Sequence, residues 1–109
     1  MEILYASGRL KKLCEQQKIA TQQLGPSCAR KLRTRLSDLE AASSVGALKA
    51  GSPHPLTGSR KGEFALNLAD GDRLVFCSAN EPIPVTPDGS IDWHAVTIVK
   101  IIFIGDYHA

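Results

Sequence analysis

The stretch from Val96 to Ile104 constrains the fold more than any other part of the sequence, because it is apolar at almost every position. In an extended conformation, one face would carry Val96, Ile98, Ile102 and Ile104, and the other Val99, Ile101 and Phe103. A strand that is apolar on both faces is typical of the interior of a sheet rather than its edge. We therefore expect a β-sheet in which this segment is a central strand.

Two helices are predicted ahead of the sheet. Ser7 is a suitable N-cap for a first helix over about residues 8–22. Gly25-Pro26 separates this helix from a second one that extends to about residue 43. The second helix has a single apolar stripe, formed by Cys28, Leu32, Leu36 and Leu39. The two helices are predicted to form an antiparallel hairpin with apolar residues inside and basic residues outside.

The remaining strands are predicted from alternation and turn signals. Residues 2–5 can form a short first strand, and Asp70-Gly71 marks a tight turn between alternating segments at 64–68 and 73–77. Residues 50–62 and 79–94 contain several prolines and glycines, so we expect loops there. A length of 109 residues suits one domain. The sequence predicts a single α+β domain over residues 1–109, with a helical hairpin packed on a small, mainly antiparallel sheet of three or four strands.

Positive charge is concentrated in the predicted helices. Residues 1–35 contain eight basic and two acidic side chains, a net charge of +6, whereas the rest contains five basic and nine acidic side chains, a net charge of −4. The cations expected on the outer helix faces include Lys11, Lys12, Arg30, Lys31, Arg33 and Arg35. Such asymmetry is typical of a surface that binds a polyanion such as RNA. An ordinary solvated helix surface is the alternative.

Several classes of protein are disfavoured. The cysteines, Cys14, Cys28 and Cys77, are odd in number and no two are spaced as CxxC. They are predicted to be buried reduced thiols, and we expect no metal and no cofactor. No apolar run approaches the ~20 residues that a membrane span needs. The N-terminus lacks the pattern of a secretion signal, so a cytoplasmic location is expected.

The C-terminal residues are the first candidates for chemistry. Asp106, Tyr107 and His108 follow the apolar strand directly, and all three side chains can transfer protons or form hydrogen bonds. A rigid strand would deliver them to one edge of the sheet, which is the placement that acid–base catalysis requires. A frayed polar tail is the alternative.

A second group of candidates surrounds the predicted hairpin. His54 lies in a proline-bounded loop ahead of Arg60 and Lys61, and Arg73 begins the return strand. Arginine can bind phosphate through two hydrogen bonds at once, and lysine acts as a point charge. The alternatives are a solvated histidine and surface ion pairs.

Three segments together resemble a known family. They are residues 54–64 (His-Pro-Leu-Thr-Gly-Ser-Arg-Lys-Gly-Glu-Phe), residues 72–76 (Asp-Arg-Leu-Val-Phe) and residues 102–108 (Ile-Phe-Ile-Gly-Asp-Tyr-His). With the basic helices before them, they resemble the HigB branch of the RelE/ParE toxin superfamily, the plasmid-maintenance killer proteins. The resemblance extends over nearly the whole chain. Its most specific parts are the terminal Asp-Tyr-His and the Arg-Lys-Gly at the start of the hairpin.

The resemblance implies a RelE-like fold and the activity of a type II toxin. That activity is ribosome-dependent cleavage of mRNA in the A site of the 30S subunit, without a metal ion. The implied partners are the ribosome with its RNA, the mRNA, and a cognate HigA-like antitoxin that carries a helix-turn-helix domain.

On this hypothesis the ribose 2′-OH attacks the adjacent phosphate. His108 is the first candidate for proton transfer, because an imidazole titrates near neutral pH. Asp106 would act as a base or orient His108, and Tyr107 would stack on a base or bond the phosphate. Arg73 would neutralise the phosphate with Arg60 or Lys61 nearby, and His54 is a second candidate acid or base. The basic helices would dock on ribosomal RNA.

Two other functions fit the same fold. A ParE-like gyrase inhibitor would act by protein–protein binding and would need no acid–base residues. A non-catalytic RNA- or protein-binding module would keep the basic helices and tolerate the loss of His108.

Overall fold

The computed structural model describes residues 1–107, so the predicted catalytic residue His108 and the final Ala109 lie outside the described residues. The strands are β1 (Glu2–Tyr5), β2 (His54–Pro55), β3 (Glu63–Asn67), β4 (Arg73–Ser78) and β5 (Ile98–Gly105). The helices are α1 (Gly8–Glu15), α2 (Gln17–Leu24) and α3 (Pro26–Ala41), and short 3-10 turns occur at Val45–Ala47, Gly58–Arg60 and Trp93–Ala95. The predicted α+β class is confirmed.

In the part of the chain that the structure describes, the helical layer has three helices rather than the predicted two. The Ser7 hydroxyl accepts a hydrogen bond from the Leu10 amide at 3.2 Å, so the predicted N-cap is confirmed. Gly25, with φ of +85°, ends α2, and Pro26 begins α3. The predicted first helix is interrupted at Gln16, whose backbone is extended. This break separates α1 from α2, and the hairpin is formed by α2 and α3.

Within residues 1–107 the sheet has five strands rather than three or four, in the order β1-β5-β4-β3-β2. β5 therefore lies inside the sheet, as predicted. It pairs in parallel with β1 and antiparallel with β4, so the sheet is mixed. The additional strand is β2, which pairs with β3 within the segment that was expected to be a loop. Two residues suffice for this strand because its partner β3 supplies the hydrogen-bonding groups.

The core lies between the helices and one face of the sheet. The predicted stripe on α3 is buried, and it packs with the side chains of Phe64, Leu66, Leu74, Phe76, Val99, Ile101 and Ile104. The opposite face, which we call the open face, carries His54, Ala65, Val75 and Phe103, because these residues are paired across β2, β3, β4 and β5. Successive side chains in a strand point to opposite faces, which separates these two sets.

A β-bulge changes the faces predicted for β5. Val75 pairs with Phe103 and Phe76 pairs with Ile101, so Ile102 is an extra residue without a counterpart in β4. The extra residue reverses the alternation, and Ile101 and Ile104 therefore both face the core. Ile98, Ile102 and Phe103 are only half-buried, and Lys100 is exposed, so the expectation that this strand is buried on both faces is wrong.

The segment between β4 and β5 is tied to the sheet at its base. The side-chain oxygen of Asn80 accepts hydrogen bonds from the amides of Thr97 and Ile98. Trp93 packs on Phe64 with ring centroids 4.8 Å apart. Within residues 1–107, none of the helices is both long and apolar enough to span a bilayer.

Candidate active site

The register of the sheet brings several predicted site residues together on the open face. His54 is paired with Ala65, which is paired with Val75, and Val75 with Phe103. One step further along the strands, Arg73 is paired with Asn67 on one side and Gly105 on the other. Because residues two apart in a strand share a face, Arg73 lies on the same face as Val75 and His54.

These residues surround an open cleft with a volume of about 380 Å³. Its lining residues are His54, Pro55, Leu56, Thr57, Ser59, Arg60, Arg73 and Tyr107. The cleft therefore contains four of the predicted site residues, from the 50–62 segment, from β4 and from the end of β5. It combines an imidazole, two guanidinium groups and a phenol, and such groups can bind a phosphate and transfer protons.

His54 is held in one orientation by its own loop. Its Nδ1 atom lies 2.7 Å from the main-chain oxygen of Ser52. A carbonyl oxygen can only accept, so Nδ1 carries the hydrogen, and Nε2 keeps the lone pair when the ring is neutral. His54 is half-buried at the cleft wall. The arrangement leaves Nε2 as the nitrogen suited to accept a proton from a bound group.

Arg60 is fixed on two sides. Its guanidinium donates to the Glu63 carboxylate at 2.7 Å. The same guanidinium carbon lies 4.8 Å from the ring centroid of Phe103 and 5.2 Å from that of Tyr107. The two rings are 6.4 Å apart in an edge-to-face arrangement. Arg60 is therefore half-buried at the junction of a carboxylate and two aromatic rings.

Arg73 and Asp106 both lie near the β3–β4 turn. Arg73 donates to the main-chain oxygen of Asp72 at 3.1 Å. Gly71 has φ of +85°, and a Cβ atom there would lie 3.3 Å from a carboxylate oxygen of Asp106. The exposed Asp106 thus lies over the turn and is not among the residues that line the cleft in the described chain. Lys61 is exposed beside Arg60 and also lies outside this lining.

Most of the predicted RNA-binding cations lie on the helices. We call this group the helical surface; it consists of the exposed residues Lys11, Lys12, Arg30, Lys31 and Arg33. Arg35 differs, because it is only 9% exposed and its guanidinium bonds Asp38 at 2.7 Å. The backbone at Gly51 also lies directly against the Arg35 side chain. The expectation that Arg35 faces outward is therefore wrong, and the chain after α3 covers it.

The cysteines are reduced, but only Cys28 is buried, whereas Cys14 and Cys77 are half-buried. Burial raises the pKa of Cys14 to about 12. Burial and the hydrogen bond that its thiol donates to Asp72 at 3.2 Å raise the pKa of Cys28 to about 11. Thiols with such high pKa values are poor nucleophiles at neutral pH.

Two contributors to the site were missed in the sequence. Glu63 bonds Arg60, and the ring of Phe103 packs against the Arg60 guanidinium and the Tyr107 ring. Arg60 and Glu63 are three residues apart in the sequence. This spacing predicts a contact only where the residues form a helical turn, so the sequence alone did not indicate the pair. The sequence predicts that Phe103 shares a face with Val99 and Ile101. The bulge at Ile102 changes this, and it is defined only by the pairing of β5 with β4.

Comparison with known proteins identifies the fold class. No protein-family model and no curated protein sequence matches the chain. Its structure is similar to a YoeB/ParE toxin from Agrobacterium tumefaciens, with a TM-score of 0.61, 11% identity and coverage of 98% of this chain and 99% of the other. It is also similar to a chain of the YoeB-YefM complex from Staphylococcus aureus, with a TM-score of 0.59, 15% identity and coverage of 100% and 98%.

A third similar structure is the YoeB dimer from Staphylococcus aureus, with a TM-score of 0.57, 16% identity and coverage of 100% and 98%. At these identities the similarity shows the fold alone. The chain thus has the fold of YoeB/ParE toxins, and the fold agrees with the superfamily suggested by the sequence segments. The narrower assignment to the HigB branch is a proposal.

Proposed function

We propose that this chain is the toxin of a type II toxin–antitoxin system, in the HigB branch, and that it cleaves mRNA in the A site of the ribosome. The observation that carries the proposal is the convergence of His54, Arg60, Arg73 and Tyr107 on one cleft. The similarity in fold to YoeB/ParE toxins supports it. On this proposal residues 1–109 act as one toxin domain in the cytoplasm.

The proposed reaction is an attack by the ribose 2′-OH on the adjacent phosphorus. A base removes the proton from the 2′-OH, and the new bond forms in line with the bond to the 5′-oxygen. That bond breaks, and an acid protonates the leaving 5′-oxygen. The products are a 2′,3′-cyclic phosphate and a 5′-OH end. Neither water nor a metal ion takes part, so the chemistry requires only proton transfer and stabilisation of negative charge.

His54 is the proposed base, because its Nε2 is the lone-pair nitrogen and its ring is fixed by the bond to Ser52. Arg73 is the proposed cation for the charge that develops on the phosphate, because it lines the cleft at the end of a strand. Tyr107 would stack on an unpaired base or bond the phosphate. The proposed acid is His108, with Asp106 orienting it; this assignment is based on the sequence.

The helical surface has a separate proposed role. Its exposed cations would contact phosphates of ribosomal RNA. Such binding releases counterions condensed on the RNA and therefore weakens as the salt concentration rises. The ribosome would then present the mRNA to the cleft. The proposed antitoxin is a HigA-like helix-turn-helix protein, and the YoeB-YefM complex is an example of a similar chain bound to an antitoxin.

The test uses purified chain added to programmed bacterial ribosomes, with primer extension to map new mRNA ends. We expect cleavage in the A-site codon, ends that carry a cyclic or 3′-phosphate, and no cleavage of the same mRNA without ribosomes. The His54→Ala and His108→Ala variants should lose most of this activity. A 5′-phosphate product would exclude the proposed reaction. If no mRNA is cleaved and DNA gyrase instead accumulates double-strand breaks in the presence of the chain, the chain is a ParE-like inhibitor.

A further inference from the structure

Arg60 and Arg73 line the same cleft but have different surroundings. Arg60 is bonded to a carboxylate, and the side chains of Arg60 and Glu63 are only 29% and 23% exposed. Arg73 is bonded to a main-chain oxygen, a neutral acceptor. A guanidinium already paired with a carboxylate offers a phosphate less net charge than one bonded to a neutral carbonyl.

The position of Arg60 over two rings indicates what its side chain holds. The rings of Phe103 and Tyr107 belong to β5 and to the residues that follow it, whereas Arg60 and Glu63 belong to the segment that enters β3. The contact therefore joins two separate parts of the chain at the cleft wall. Tyr107 follows the end of β5 at Gly105, so its ring contacts at this wall are made outside the strand.

We propose that Glu63 is a positioning residue, which holds Arg60 against Phe103 and Tyr107 and so fixes the phenol of Tyr107 at the cleft wall. Arg60 acts as a clamp on the aromatic pair, and Arg73 is the arginine that meets the phosphate. The catalytic consequence of this arrangement rests on the proposed endoribonuclease activity, whereas the arrangement itself can be tested without it.

The structural test is NMR of the chain labelled with ¹³C in its tyrosine rings. The chain has two tyrosines, so the signal of Tyr5 in β1 reports on the fold while that of Tyr107 reports on the clamp. We expect Glu63→Gln and Arg60→Met each to move the Tyr107 ring signals toward those of an unstructured peptide, with Tyr5 unchanged. Glu81→Gln, which removes an exposed carboxylate outside the cleft lining, is the control and should move neither signal. Unchanged Tyr107 signals in both cleft variants would overturn the proposal.

The kinetic test compares the two single variants with the double variant on saturating ribosomes. If Glu63 acts through Arg60, each single change should lower the cleavage rate about tenfold, because a displaced group costs rate without loss of binding. The double variant should be no slower than the slower single variant, since residues that act as a unit are not additive. Ribosome concentration at half-saturation should stay within about twofold.

The opposite assignment gives a different result. If Arg60 bound the phosphate directly, Arg60→Met would be far slower than wild type, whereas Glu63→Gln would keep or raise the rate by releasing the guanidinium. That result would overturn the positioning role of Glu63. If wild type cleaves no mRNA, the proposed function fails, and the tyrosine signals alone decide whether the clamp exists.

Discussion

The open face and the helical surface both carry basic side chains but hold them in different ways. On the open face, His54, Arg60 and Arg73 are each bonded to another group of the chain and lie within one cleft. On the helical surface, cations such as Lys11 and Lys31 are exposed and spread over separate helices. Fixed groups suit chemistry at one phosphate, whereas mobile exposed charges suit contact with many phosphates.

This difference predicts that changes on the open face alter the rate of the chemical step, and that changes on the helical surface alter binding and its dependence on salt. The largest effect is expected at His54. The change His54→Ala removes the proposed base and should lower the cleavage rate by ~10²–10⁴-fold on saturating ribosomes. Ribosome binding, measured by sedimentation, should be unchanged.

A matched control for His54 is His94→Ala. His94 is exposed in the 3-10 turn before β5 and lies outside the cleft lining. We expect full activity for this variant. Equal losses for both histidine variants would contradict the assignment of the base to the cleft.

The next largest effect is expected at Arg73. The change Arg73→Gln should lower the cleavage rate by ~10²–10³-fold, because it removes a preorganised donor to the charged phosphate. The salt dependence of ribosome binding should stay the same, since the proposed contact of Arg73 is with the scissile phosphate alone. Lys49→Gln removes one exposed charge outside the cleft and is the control. If Arg73→Gln changed the salt dependence of ribosome binding but not the cleavage rate, Arg73 would have the role that is assigned to the helical surface.

A smaller effect is expected on the helical surface. The triple change Arg30→Gln, Lys31→Gln and Arg33→Gln should reduce the slope of log affinity against log salt by about 2, because each phosphate that a side chain neutralises adds ~0.7 to that slope. The cleavage rate at saturation should not change. Binding can be measured by sedimentation of ribosomes at several salt concentrations.

Arg35→Gln separates charge from exposure on the same helix. Arg35 is buried and paired with Asp38, so the Arg35→Gln substitution should leave the slope of log affinity against log salt unchanged. The substitution should lower the free energy of unfolding by about 1–2 kcal/mol, because water screens the ion pair at Asp38, whose side chain is 36% exposed. A change in slope equal to that of a helical-surface cation would mean that Arg35 reaches RNA.

The features that could be predicted from the sequence are local ones. Ser7 as a cap, Gly25-Pro26 as a helix junction, and the buried stripe of α3 each depend on residues close together in the chain. Asp70-Gly71 is similar, because both residues have positive φ in the turn between β3 and β4. The choice of His54 and Arg73 as site candidates followed from residue type, and the structure places both in the cleft.

The features that could not be predicted depend on partners distant in sequence. The bulge at Ile102 exists only relative to β4, and the strand at His54–Pro55 exists only because β3 pairs with it. Arg35 is covered by the chain near Gly51, and the helical periodicity of α3 gives no information about this contact. The break at Gln16 has neither glycine nor proline to mark it, and the apolar spacing through it fits a continuous helix.

The smallest effect that we expect is a difference in reactivity between the thiols of the helical layer, Cys14 and Cys28, and the thiol of Cys77 in β4. Burial raises the pKa of Cys14 to about 12 and that of Cys28 to about 11, whereas for Cys77 the effect of burial is opposed by the nearby Lys100. The thiolate is the reactive form, so iodoacetamide at pH 8 should modify Cys77 of the folded chain first. Modification of Cys28 should increase about tenfold per pH unit up to about pH 11. Mass spectrometry of the modified peptides measures each site, and the chain unfolded in urea, where all three should react alike, is the control.

The same pKa values fix the sign of a change in stability. In the unfolded chain these thiols lose their protons near their ordinary pKa of 9.0, whereas Cys14 and Cys28 keep them to higher pH in the folded chain. The unfolded state therefore binds fewer protons above about pH 9, and the free energy of unfolding should fall as pH rises from there toward pH 11. Urea unfolding at pH 8 and pH 10 measures this loss, which should be smaller in a Cys14→Ala variant.

Equal alkylation of all three thiols in the folded chain at pH 8 would mean that the helical layer opens as readily as the open face, and the contrast between the two surfaces would not hold.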